Sequence, residues 1–122
     1  MASVYTFNYK GKEIFCLDVS GLQLKDKPDY KKLVNAAREE IAKHPPKSLL
    51  VITNVAHTGF DTEVSAIMGE YAEHNTPYVK ASAVVGVSGV QKVVLSAIKA
   101  ITGRDFFITE TMEEAQEWLV NQ

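Results

Sequence analysis

A single cysteine, Cys16, leaves this 122-residue chain without an internal disulfide, and such usage fits a reducing compartment. With three histidines scattered beside it, the chain also lacks the ligand spacing of a metal site, and no metal is expected. No apolar run approaches the ~20 residues that a membrane span requires. The opening stretch, Met1-Ala2-Ser3-Val4-Tyr5, has neither the basic start nor the apolar core of a signal peptide, so a cytoplasmic location is expected. No basic block stands out and the net charge is −2, which leaves nucleic-acid binding by phosphate neutralisation without a footprint. Lys25, Lys27, Lys31 and Lys32 are interleaved with Asp26 and Asp29 and read as a solvated approach to a helix. No linker, repeat or low-complexity segment interrupts the chain.

Hydrophobic residues make up 46% and charged residues 23%, a balance that suits one globular domain over residues 1–122. The chain is organised around the stretch from Lys80 to Ile98, with the strand reading begun at Tyr78. Its first half is small and β-branched, as in a strand buried on both faces of a parallel sheet. Gly86 and Gly89 then turn it into a helix with Val90, Val93, Val94, Ala97, Ile98 and Ile101 on its expected inner face. Upstream, Val4 to Tyr9 and Ile14 to Val19 flank Lys10-Gly11-Lys12 and read as an antiparallel hairpin. Cys16 lies mid-strand there, where a small buried hydrophobe is the expected role.

Pro28 and Asp29 suit the first turn of a helix that Pro45-Pro46 stops, with His44 at its end. Ser48 to Thr53 is a third strand. Asp61 is the N-cap of a helix carrying Val64, Ile67, Met68, Tyr71 and Ala72 inward, with Pro77 as a stop. Gly103 suits a left-handed C-cap, and Asp105 to Thr109 a last strand. Thr111 and Glu114 form a capping box that opens a helix anchored by Trp118. The order β-β-α-β-α-β-α-β-α predicts an α/β fold. Its sheet is expected to be mainly parallel with about five strands, an antiparallel first strand at the edge, and four helices.

In such a sheet three segments emerge on the C-terminal edge: Asp18 to Gly21, Asn54 with the loop holding His57, Thr58, Asp61 and Thr62, and Gly86 to Gly89. Ligands and partners of open α/β folds gather at this edge. Two of the segments feed helix N-termini, which favour an anion. Gly86-Val87-Ser88-Gly89-Val90-Gln91-Lys92 lacks the Walker spacing and the three-glycine dinucleotide fingerprint, so no cofactor is expected. Here Gly86 reads as a tight turn and Gly89 as an N-cap or a point of close packing. His57 with Asp61 can be drawn as a hydrolytic pair, but no nucleophile elbow accompanies it. Asp18 suits acceptance of backbone hydrogen bonds. Lys80 suits a lysine reaching the opposite, N-terminal rim, so the two are not paired.

Several strings carry a resemblance: Lys47-Ser48-Leu49-Leu50-Val51, the run from His74 to Gly86, and Thr102-Gly103-Arg104. On these the chain resembles the STAS, or SpoIIAA-like, superfamily over nearly its full length, and most of all its uncharacterised bacterial branch. The CRAL-TRIO lipid carriers are distant relatives by architecture. In anti-sigma-factor antagonists of this superfamily, the loop after the third strand ends in Asp-Ser-[Ser/Thr]-Gly. A partner kinase, itself the anti-sigma factor, phosphorylates the first serine. On that pattern Asp61 matches the aspartate and Thr62 the phosphoacceptor, whereas Glu63 and Val64 depart from it.

The resemblance implies a non-enzymatic regulatory module that binds a protein partner, such as a kinase or another regulatory protein. Its expected surface comprises Asp18, Asn54, His57, Thr58, Asp61, Thr62, Gly86, Ser88, Gly89 and Lys92. A second expectation is a binder of a small apolar or anionic ligand, lipid included. The surplus apolar surface of the third and fourth helices requires a pocket or a homodimer face to cover it. A hydrolase built on His57 is the third.

Overall fold

In a computed structural model that describes residues 2–122, the elements follow the expected order. Met1, where the N-terminal reading begins, lies outside the described residues. Strands β1 (Ser3–Tyr9) and β2 (Lys12–Asp18) form the hairpin. Its turn residues, Lys10 and Gly11, both have positive φ, 49° and 82°, the conformation that two-residue hairpin turns require. Helix α1 (Lys27–Ile41), strand β3 (Leu49–Asn54) and helix α2 (Thr62–Asn75) come next. Strand β4 (Val79–Val85), helix α3 (Gly89–Thr102), strand β5 (Phe107–Thr109) and helix α4 (Met112–Val120) complete the chain. The last strand is shorter than its apolar and aromatic letters suggest.

The five strands lie in sequence order, β1-β2-β3-β4-β5. Only β1 runs antiparallel; the β2–β3, β3–β4 and β4–β5 pairs are parallel. Register divides the side chains into two layers. Phe15, Leu17, Val19, Val51 and Val84 pack under α1, α2 and α3 with Tyr30, Val34, Ala37, Ile41, Val64 and Tyr71. Ile14, Cys16, Leu50, Ile52, Ala83 and Val85 face α4, which buries Ala115 and Leu119 against them. Trp118 is only partly buried, and its ring stacks on Phe107 at 4.6 Å, tying α4 to the short edge strand. Cys16 is fully buried, and burial pushes its thiol up to about 11, as befits an inert core residue.

Lys80 marks a bulge. Leu49 pairs with Val79 and Leu50 with Ala81, so Lys80 is the extra residue, exposed at the N-terminal rim. Its Nζ donates to the carbonyl of Gln122 at 3.0 Å, and Lys12 Nζ donates to that of Val120 at 2.8 Å. Two cations thus meet the carbonyl end of α4, where the helix dipole favours them.

The expected inner face of α3 is corrected. Val90, Val93 and Ile101 are 67%, 71% and 75% exposed, whereas Gln91 and Ile98 are buried. The capping box rotates the helix this way: Ser88 Oγ accepts from Gln91 N at 3.3 Å and Gln91 Oε1 accepts from Ser88 N at 2.8 Å. Gln91 must therefore face back toward the strand exit. Gly89 is the first residue inside the helix rather than its cap, and a Cβ there would meet nothing within 4 Å, which overturns the close-packing reading.

Gly86 behaves as expected of a tight turn, and more. Its φ is 79°, and a Cβ would lie 2.5 Å from Ala56 Cβ and 2.6 Å from Ala56 Cα. Gly86→Ala combines a left-handed backbone with a backbone clash and is expected to destabilise by about 2–4 kcal/mol in urea unfolding. Gly89→Ala is the control, with a gain of about 0.5–1 kcal/mol. Equal effects of the two would show that the approach to Ala56 is not a constraint.

Candidate functional site

The rim is an extension of the sheet. Beyond the strand ends, Val19 N donates to Asn54 O at 3.0 Å, Val55 N to Val85 O at 2.9 Å, and Gly86 N to Thr109 O at 3.0 Å. Gly21 N reaches Ala56 O at 3.0 Å. The loop from Val55 to Asp61 is held by its neighbours rather than left loose. Thr58 Oγ1 donates to Val19 O at 3.0 Å, Gln23 Nε2 to His57 O at 2.8 Å, and Gly59 N to Leu22 O at 2.8 Å. His57 takes a φ of 56° and its side chain is exposed.

That loop delivers Asp61 to the start of α2. Its Oδ1 accepts from Val64 N at 2.9 Å, the expected cap, and its Oδ2 pairs with Lys27 Nζ at 2.5 Å. Lys27 also reaches Glu63 Oε1 at 3.0 Å, and Lys31 Nζ reaches Glu63 Oε2 at 2.8 Å. The two lysines stand one turn apart on α1, so a single helix face presents both. Lys27, with the Val64 amide, holds the Asp61 carboxyl below the usual carboxylate range. Lys31 and then Lys27 do the same for Glu63. Thr62, between the two acids, is exposed at the first position of α2. Lysines 27 and 31 are thus parts of an ion-pair network and not a merely solvated approach; Lys27 keeps only 25% of its side chain exposed.

The other expected site residues fall into separate groups. Asp18 and Asn54 pair in register and share the α4 side of the sheet with Ile14, Cys16, Leu50 and Ile52. Each closes its own turn: Asp18 Oδ1 accepts from Ser20 N at 2.9 Å, and Asn54 Oδ1 from Ala56 N at 3.1 Å. They sit at the same rim as Thr62 but beneath the opposite face. Ser88 is committed to the α3 cap, Gly86 to Ala56, and Gly89 to the first turn of α3; Lys92 is exposed. The His57–Asp61 pair is not assembled. Asp61 is engaged by Lys27 and the Val64 amide, while the His57 imidazole has no hydrogen-bond partner among the described residues.

No protein-family model and no curated protein matches this chain. Solved structures do. One is an uncharacterised protein of the DUF3478 family with a SpoIIAA-like fold, from Shewanella loihica PV-4. It has a TM-score of 0.65 and 16% identity over 96% of this chain and 92% of that one. The fold is SpoIIAA-like. An anti-sigma factor antagonist from Mycobacterium paratuberculosis has a TM-score of 0.57 and 12% identity over 98% and 95% of the two chains. At these identities it is the STAS-type architecture that is shared. Within this SpoIIAA-like frame, the Lys27–Asp61–Glu63–Lys31 network was the part that sequence reading missed. Its one signal was the four-residue spacing of Lys27 and Lys31.

The network sets a pH dependence. A carboxylate whose native value is depressed contributes stability that is fully present above its ordinary value of about 4 and is lost as pH falls through the native value. Asp61→Asn retains a capping oxygen and loses the charge. Urea unfolding should therefore show a wild-type advantage near pH 7 that shrinks with added salt and is lost progressively as pH falls below about 4. An advantage independent of pH would assign Asp61 a capping role alone.

Proposed function

We propose that this chain is a non-enzymatic protein-interaction module whose docking surface is the rim from His57 to Thr62 and the adjoining first half of α3. The charge balance around Thr62 carries this reading. Lys27 and Lys31 offset Asp61 and Glu63, so the exposed hydroxyl stands at a helix N-terminus without net charge around it. A phosphate there would gain from the helix dipole and compete for the same two lysines. Glu63, which argues against phosphorylation when seen as bare sequence, is neutralised by α1.

The exposed side of the first half of α3 offers Val90 and Val93, with Lys92 between them in sequence. Exposed aliphatic groups clustered at a rim of polar residues suit a protein partner. The likeness to an anti-sigma factor antagonist supports the same class of role, with a kinase or another regulatory protein as the partner. Modification of Thr62 would then switch docking by charge.

Immobilised wild-type, Thr62→Val and Thr62→Glu proteins, each exposed to extract of the source cells, test the reading. The expected result is a partner retained by the first two and reduced at least tenfold on Thr62→Glu. Identical retention on all three would overturn it.

A further inference from the structure

Arg104, the last residue of the Thr102-Gly103-Arg104 string, has no part in the rim. It follows the left-handed Gly103, φ 72°, that ends α3, and it turns back under the helix. One Nη donates to Ala72 O at 2.7 Å and the other to Ser82 Oγ, while Cζ lies 5.0 Å from the Phe106 ring centre. None of the ion pairs among the described residues includes it; its neighbour Asp105 is bound by Lys99 at 2.7 Å. Burial holds the guanidinium below its ordinary value, so a charge is kept in a poorly solvated place without a counter-ion.

That place is a cavity of ≈ 30 Å³ walled on its polar side by Arg104, Thr53, Asn75, Ser82 and Tyr71. Tyr71 is 3% exposed, and its hydroxyl is the buried side-chain polar atom without a hydrogen-bond partner among the described residues. A buried hydroxyl left in this state has given up its hydration without a replacement. Burial pushes the phenol up, and the Asn75 side chain lies near enough to oppose that rise; the Asn75 Oδ1 is met by His74 Nδ1 at 2.9 Å. Next to this compartment is a second, also of ≈ 30 Å³, lined by Val55, Phe60, Val64, Val87 and Val94. Met68, Val84, Leu95 and Ile98 line both.

A cationic, donor-rich end joined to an apolar end has the polarity of an amphipathic acid. We propose that this internal site binds a small aliphatic carboxylic acid, its carboxylate on Arg104 and Tyr71 and its hydrocarbon chain in the apolar compartment. The planar guanidinium suits a carboxylate, and the Tyr71 hydroxyl supplies the donor that lacks an acceptor. As it stands each compartment has room for little more than a water. Binding therefore requires an outward shift of α3, whose buried residues are Gln91 and Ile98 alone. The two sites share Phe60 and the first half of α3, but the polar end at Arg104 and Tyr71 draws on no residue of the docking surface, so variants there test the internal site separately.

Hexanoate and 1-hexanol, the same chain with and without the charge, are the probes, titrated at neutral pH into the 15N-labelled protein. Hexanoate should bind at least tenfold more tightly than the alcohol and shift the amides of Tyr71, Asn75, Ser82 and Arg104. Arg104→Met should bring the two ligands to equal affinity. Tyr71→Phe removes an unpartnered hydroxyl, so its melting temperature should hold or rise, while hexanoate binding weakens about threefold. A purely structural role for Tyr71 would leave binding unchanged and overturn the assignment. So would equal affinity of the two ligands for the wild type, or no binding of hexanoate at 10 mM, which would leave ordered water as the occupant.

Discussion

Parallel pairing of β2, β3 and β4 forces each connection to leave at one end of the sheet and return along a helix. Everything else in the molecule follows from that constraint. The backbone ladder does not stop at the strand ends: Val19, Val55 and Gly86 carry it into the loops through amide-to-carbonyl bonds of 2.9–3.0 Å. The loops are therefore laid side by side before any side chain is considered. Gly86 fits because it lacks the Cβ that would strike Ala56. Asp61 is delivered to α2 by a loop pinned at Thr58 and Gly59, and Lys27 is delivered to Asp61 by the packing of α1 against α2.

The strands and their succession along the chain were readable because each strand announces itself locally, whereas their side-by-side order in the sheet was not. A hairpin turn, a proline stop and a run of β-branched residues are short-range signals, and they survive folding unchanged. The caps at Asp61 and Thr111 belong to the same class, whereas the cap of α3, expected at Gly89, falls on Ser88 and sets the face as well. Periodicity predicted that Val90, Val93 and Ile101 turn inward, and they turn out. A helix apolar on nearly every side gives periodicity no single direction, and the Ser88–Gln91 box decided the rotation.

The candidate site was less legible, for a different reason. Residues near each other in sequence, such as Asp18 with Ser20 or Asn54 with Ala56, satisfy each other locally and leave little for a ligand. The interactions that shape the α2 N-terminus and the Arg104 cavity span tens of residues: Lys27 to Asp61, Ala72 and Ser82 to Arg104. No spacing rule encodes such distances. Only the tertiary fold shows that Glu63 is compensated or that the Tyr71 hydroxyl is stranded.

The sheet also ends in an unusual way for so apolar a segment. Strand β5 has three residues, two of them exposed, and its amides beyond Thr109 pass at once into the cap of α4. Another chain that tried to add a strand there would find too short a row of free backbone groups to zip onto. The brevity of β5 thus works as protection against fibril-like stacking. An edge bearing Phe107 and Ile108 would otherwise invite it.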